Sequence, residues 1–147
     1  MNFPSEDNLR RGIAFVAALG VGVATYIAIA EAGGGSPVCL AGGSGCATVA
    51  KSSYSHIAGV NIAIFGIVGY VLLLASAFFA NDLARLGGFA VALGGFGYSI
   101  FLTYIEIFKI EAICQWCVAS AVLMTILFLL NATRLIGYGG TELQEAA

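Results

Sequence analysis

The chain has 147 residues, of which 60% are apolar and only 10% charged, and its mean hydropathy is +0.97, well above that of a water-soluble domain. These proportions exclude an ordinary cytosolic enzyme, and a net charge of -2 without a basic stripe excludes a nucleic-acid-binding surface. What remains is a protein of the lipid bilayer, with its partners in the membrane and the extracytoplasmic space.

Four stretches carry few or no charges and approach the roughly 20 residues needed to cross a hydrocarbon core: 12–30, 57–80, 86–108 and 112–133. Backbone groups in lipid must be satisfied internally, so runs of this length predict helices, and the alternating pattern of a barrel is absent. The first stretch follows Arg10-Arg11 and ends in Ala28-Ile29-Ala30, which imitates a secretory signal with its small-residue cleavage site. Its apolar run is too long for a signal core, so it is expected to remain as a helix.

Residues 32–56 form the longest non-apolar segment. It opens Ala32-Gly33-Gly34-Gly35-Ser36-Pro37 and continues Cys39-Leu40-Ala41-Gly42-Gly43-Ser44-Gly45-Cys46, a glycine density that cannot hold a helix. From Ala47 to Ile57 the composition turns helix-compatible, which predicts a short lid helix across the mouth of the bundle. After the second helix, Asn81 to Arg85 is a tight turn. The third helix carries Gly87, Gly88, Gly94, Gly95 and Gly97, small residues that let membrane helices approach closely. Lys109 to Ile113 is barely a turn, so the third and fourth helices are antiparallel neighbours. The predicted fold is all-α and integral to the membrane: a four-transmembrane-helix bundle with a Gly-rich extracytoplasmic loop, in a single domain over residues 1–147. The polar stretches before Leu9 and from Gly139 to Ala147 are too short for another.

Orientation follows from Lys and Arg, which favour the cytoplasmic side. Arg10, Arg11, Arg85 and Arg134 flank one face, Lys51 and Lys109 the other. Four against two places both termini in the cytoplasm, in a multi-pass protein of the cell membrane. The Cys39/Cys46 loop and the start of the fourth helix then lie outside, where disulfides can form.

The only cysteines are Cys39, Cys46, Cys114 and Cys117. Cys114-Gln-Trp-Cys117 is a C-x-x-C at a helix N-terminus, where amide groups and the helix dipole stabilise a thiolate and the spacing permits a reversible disulfide. In this reading Cys114 is the attacked sulfur and Cys117 the buried one. Alone, the motif fits equally half a metal site or two inert core cysteines. Cys39 and Cys46 are readable as a structural staple, but their glycine-rich loop leaves them free to swing. Together the pairs make a relay in which a loop thiolate attacks the C-x-x-C disulfide. The natural two-electron acceptor inside a bilayer is a lipid quinone, of the menaquinone or ubiquinone type, and no metal is required.

In order, these features resemble the vitamin K epoxide reductase family, including its bacterial and archaeal disulfide-forming members. The resemblance rests on the loop cysteines followed by Cys46-Ala47-Thr48-Val49-Ala50-Lys51-Ser52, on Asn61-Ile62-Ala63-Ile64-Phe65-Gly66, and on Tyr104-Ile105-Glu106-Ile107-Phe108 preceding Ala112-Ile113-Cys114-Gln115-Trp116-Cys117. It implies a thiol:quinone oxidoreductase supporting disulfide bond formation. Cys39 would exchange with a thioredoxin-like extracytoplasmic partner, Cys46 would pass electrons to Cys114, and Cys117 would face the quinone. Ser52 matches the family's loop serine, which holds the lid or the quinone carbonyl, and Phe65 falls in the second-helix signature as a quinone contact. Tyr104 and Trp116 are expected to wall the same site, although aromatic residues gather at membrane interfaces regardless.

Two positions depart from the animal members. Their quinone-contacting Tyr corresponds here to Ala121 and their Asn to Ile62, with Asn61 one position away, so epoxide reduction is not expected. Many bacterial members carry a fused thioredoxin-like domain; here the partner is expected to be a separate protein. His56, the only histidine, reads as a polar surface residue. Glu106 is expected to reach water or pair with Lys109 three residues on.

Competing readings remain. The four-helix disulfide-bond oxidase of bacterial inner membranes performs the same chemistry, but its C-x-x-C lies in the first external loop. A heavy-metal transporter could use the four sulfurs as ligands, and a structural scaffold would keep an inert loop disulfide.

Overall fold

The computed structural model describes residues 4–40 and 42–139; the polar tail beyond Gly139 lies outside them. Four long helices carry the fold: α1 (Glu6–Ala32), α3 (Ile62–Phe78), α4 (Asp82–Ile105) and α5 (Gln115–Arg134), with a short α2 (Gly45–Ala50) between the first two. Each boundary has a local cause. The Ser5 hydroxyl accepts from the Asn8 amide, and Glu6 and Asp7 occupy the first turn of α1, where the helix dipole favours negative charge. The Asn61 side chain caps α3 and the Asn81 side chain caps α4. These polar caps carry α1 and α4 beyond the apolar cores at 12–30 and 86–108, because a capped polar turn continues a helix that hydropathy alone does not mark.

Three of these helices are long and apolar enough to cross a membrane by length and composition, with bounds Glu6–Ala32, Asp82–Ile110 and Gln115–Tyr138. The apolar α3, at 17 residues, is shorter. Its predicted start at residue 57 is corrected to Ile62. His56–Ile57 and Val60–Asn61 instead pair as a two-residue antiparallel hairpin, β1 and β2, closed by Ala58 and Gly59 at positive φ.

The lid is also shorter than its sequence suggests. Helix α2 ends at Ala50, and a 3-10 turn follows at Ser53–Ser55. Ser52 Oγ donates to the Val49 carbonyl and Ser55 Oγ to the Ala50 and Ser52 carbonyls, so serine hydroxyls compete for the groups a longer helix would use.

Helix α1 packs against α3 and α5, and α4 against α3 and α5, which gives the ring order α1, α3, α4, α5. Ile13, Ala17, Ala24, Tyr70, Leu73, Ala92, Met124 and Leu127 are buried along the axis. Small residues set the spacing: the Tyr70 ring lies on Gly20, and a Cβ at Gly88 or Gly95 would press on Ser76 and Asn131 or on Met124. Gly87, Gly94 and Gly97 have no such neighbour, so close packing uses two of the five glycines on α4. The outer surface is apolar too, with Phe15, Leu72, Phe101 and Leu129 exposed. Such a surface belongs in lipid.

The two ends of the bundle differ. At one, Arg85 and Arg134 reach Glu6 at 2.9 and 3.4 Å. Arg134 also donates to the carbonyls of Ser76 and Phe79, and Arg10 to those of Ala77 and Phe78. At the other end lie α2, the hairpin and all four cysteines.

Candidate functional site

Gly45 lets α2 reach the start of α5. A side-chain carbon there would strike the Ile113 carbonyl, so glycine alone allows the first turn of α2 to lie against the residue before Cys114. Cys46 is 1% exposed and Cys114 2%, and both border one cavity of about 490 Å3 together with Cys117. Cys39 and Cys46 form a disulfide with a Cα–Cα distance of 5.9 Å, and Cys114 and Cys117 are free thiols.

Burial within the C-x-x-C is the reverse of the expectation. Cys114 is covered, with α2 against the chain just before it, whereas Cys117, on the first turn of α5, is partly exposed to the cavity. The Cys117 thiol beside Cys114, together with the amides of Cys117 and Trp116, holds the Cys114 thiol down to about 7, against the opposing effect of burial.

Glu106 also departs from expectation. The last turn of α4 widens into a π turn, Glu106–Ile110, which ends at Glu111 in the left-handed region and is closed by a bond from the Ala112 amide to the Glu106 carbonyl. The Glu106 side chain therefore turns inward, only 5% exposed, and not outward towards Lys109. Its carboxylate accepts from the Cys114 amide at 3.3 Å and shares the cavity with the Cys117 thiol, with which it interacts.

Ser52 and Phe65 line the same cavity as the three sulfurs, but Tyr104 and Trp116 do not. The Tyr104 ring packs at a tilt against Phe108, 4.8 Å away, along an outer groove between α4 and α5. Trp116 instead holds the loop: its Nε1 donates to the Val38 carbonyl at 2.7 Å, and its ring lies 4.8 Å from that of Tyr26, whose hydroxyl accepts from the Val38 amide. The residue before Cys39 is thereby fastened to α1 and α5. His56 is exposed, with Nδ1 2.9 Å from Ser55 Oγ. Asn61 caps α3 and donates to Glu31, while Ile62 and Ala121 face the cavity.

Sequence reasoning missed several residues that shape this site. Gly45 could have been singled out as the glycine directly before a loop cysteine. Tyr70, a phenol within an apolar span, donates to the Ser120 carbonyl at 2.9 Å and lies 2.7 Å from Ser120 Oγ on the cavity wall. Among the described residues no Lys, Arg or His borders the cavity, and no group of three or more His, Cys, Asp or Glu could hold a metal ion.

The arrangement therefore holds one disulfide and one dithiol around a shared apolar space, which is suited to thiol–disulfide exchange. No curated protein matches the chain. The Vitamin K epoxide reductase family matches residues 12–132, a range that takes in both cysteine pairs and all four long helices except their outermost turns. The chain belongs to that family and is a membrane oxidoreductase.

Proposed function

We propose that the protein is a thiol:quinone oxidoreductase that draws electrons from a thioredoxin-like extracytoplasmic partner and supports disulfide bond formation. The observation that carries this reading is the single cavity bordered by Cys46, Cys114 and Cys117. Cys39 exchanges with the partner's dithiol, Cys46 attacks Cys114, and Cys117 faces the electron acceptor. A volume of about 490 Å3 lies within the usual range for small-molecule sites. Its mostly apolar wall, which includes Phe65 and Ser52, fits the flat ring of a lipid quinone. That quinone supplies a two-electron acceptor. Ala121 and Ile62 add no hydrogen-bonding side chain to the wall, which favours a quinone over an epoxide as the substrate.

The chain forms one domain of four spans. At 1.5 Å per residue, α3 covers about 26 Å, close to the thickness of a hydrocarbon core. The arginine-rich end faces the cytoplasm, with both termini, and the cysteine end faces outward. In a purified preparation, Cys117→Ala is expected to abolish reduction of a soluble quinone analogue by a reduced thioredoxin-like protein, followed by quinone absorbance. Undiminished turnover in that variant would overturn the reading.

A further inference from the structure

One buried group at the site is unused by the relay. Glu106 is 5% exposed and has no cationic side chain beside it in the cavity, yet it contacts both members of the C-x-x-C pair. A carboxylate that only capped a helix would need the Cys114 amide alone. One that is also held on the same cavity wall as the Cys117 thiol, by its bond to the Cys114 amide, is placed beside the bond that breaks.

We propose that Glu106 is the acid–base partner of Cys117, giving a proton to its sulfur when the Cys114–Cys117 disulfide opens and taking one back when it re-forms. The proposal rests on the thiol relay described above. In the opening step the Cys46 thiolate attacks the Cys114 sulfur, a Cys46–Cys114 bond forms and the Cys114–Cys117 bond breaks. Cys117 leaves with the bonding pair and takes the proton of the Glu106 carboxylic acid. The Cys39 thiolate then attacks Cys46, re-forming Cys39–Cys46 and releasing Cys114 as a thiolate. That arrangement of disulfide and thiols is the one in the structure.

For closure, the Cys117 S–H bond breaks and its proton returns to the Glu106 carboxylate. The Cys114–Cys117 bond forms, and two electrons pass to the lipid quinone, which draws its two protons from water. Glu106 ends the cycle as it began, and the two protons taken from water match the two released by the partner's dithiol. A thiolate leaving into a mostly apolar cavity is poorly solvated, so a carboxylic acid beside it lowers the barrier to this step.

Other titratable groups border the cavity: Glu31 on α1, Tyr54 in the loop, Tyr70 on α3 and Tyr98 on α4. Those in contact with Glu106 are Cys114 and Cys117. A pH effect that disappears with the Glu106 carboxyl is therefore assignable to it.

The test uses the full chain in detergent, without quinone. The opening of the Cys114–Cys117 disulfide by dithiothreitol is followed from pH 6 to pH 9 (about these limits, within which thiol exchange is measurable) by acid quench, alkylation and mass mapping. Glu106→Gln, which preserves size and the contact to the Cys114 amide, is expected to open about 100-fold more slowly at the acid end. The defect should shrink as pH rises, because an advantage that depends on a carboxyl proton is lost as that proton is lost. Glu106→Asp should restore most of the rate. A defect that is constant across the pH range, or none, overturns the proposal.

If Glu106→Gln does not fold, difference infrared spectroscopy of the wild type carries the test. Opening the disulfide must remove a carboxylic-acid carbonyl band, which shifts in Glu106→Asp, and an unchanged carbonyl region overturns the proposal. Because no quinone is present, failure here is distinct from failure of the proposed function, which shows as absent quinone reduction by the wild type.

Discussion

The arginine end and the cysteine end of the bundle solve opposite problems. At the first, carbonyls at the end of α3 are closed by two guanidinium groups, one fully buried and one partly exposed. Arg134, with no exposed surface, bonds Ser76, Phe79 and Glu6, and Arg10 bonds Ala77 and Phe78. At the second, the polypeptide leaves a cavity, a lid of 6 residues and a hairpin of two-residue strands. Contacts there are made by serine hydroxyls and a tryptophan holding a loop carbonyl. Ion pairs are thus concentrated away from the sulfurs, and besides the Cys39–Cys46 disulfide the loop at the cysteine end is held by neutral hydrogen bonds.

The sharpest way to break this comparison is to loosen the arginine end. Glu6→Gln removes the carboxylate shared by Arg85 and Arg134, at 7% and 0% side-chain exposure, while Arg85 keeps its pair with Asp82. The expected cost is about 3 kcal/mol, typical of removing one partner from a buried ion pair, read as a lower unfolding temperature in detergent. Exchange at the cysteines, per folded molecule, should be unchanged. A parallel loss of exchange rate would show that the two ends act as one unit.

Between the ends, Gly20→Ala tests the packing that joins them. The new methyl group would meet the Tyr70 ring, whose hydroxyl is bonded to Ser120 on the cavity wall. Overpacking of this kind costs about 2 kcal/mol, and displacing Tyr70 should also weaken quinone binding. A stable variant with an unaltered quinone KM would show that α1 yields and Tyr70 does not.

A smaller effect is expected at the cysteine end. Gly45→Ala places a carbon against the Ile113 carbonyl and pushes α2 away from the start of α5. Transfer from Cys46 to Cys114 should slow about tenfold, equivalent to about 1.4 kcal/mol, while the Cys39–Cys46 disulfide still forms. Quenched mass mapping of a Cys46–Cys114 link distinguishes the two outcomes, and an unchanged rate would mean that α2 reaches Cys114 by another approach.

What was legible in the sequence follows the same division. Apolar length marked the long helices, because the requirement to satisfy backbone groups in lipid leaves few alternatives. The cysteines were conspicuous because there are only four. Less legible were features set by one contact. The inward turn of Glu106 depends on a π turn and a left-handed Glu111, neither of which has a signal in hydropathy. Trp116 and Tyr104 read as generic interface aromatics, and only the packing separates one that clamps the Cys39 loop from one on an outer groove. The arginines indicated orientation by count, but their shared partner Glu6 is 79 residues from Arg85 and 128 from Arg134 in the chain, beyond the reach of any local pattern.

The mildest test concerns the ionisation of Cys114, the residue at the start of α5. Its thiol is held down to about 7, first by the Cys117 thiol and then by the amides of Cys117 and Trp116, whereas an ordinary cysteine titrates near 8.5. The thiolate is the nucleophile, so alkylation of Cys114 by iodoacetamide should rise through about pH 7 and level off before an unperturbed thiol is half ionised. At neutral pH the gain in rate should be only a few-fold, because a more acidic thiolate is also less nucleophilic. Since the depressed value belongs to the folded state, the stability it contributes is present above the unfolded cysteine range and is lost as pH falls through about 7. Cys117→Ala, which removes the donor, should move the alkylation midpoint upward, and Cys117→Ser, whose hydroxyl donates from a shorter arm, should move it less. If both variants titrate as the wild type does, the α5 amides alone stabilise the thiolate and the pairing of the two sulfurs contributes nothing to it.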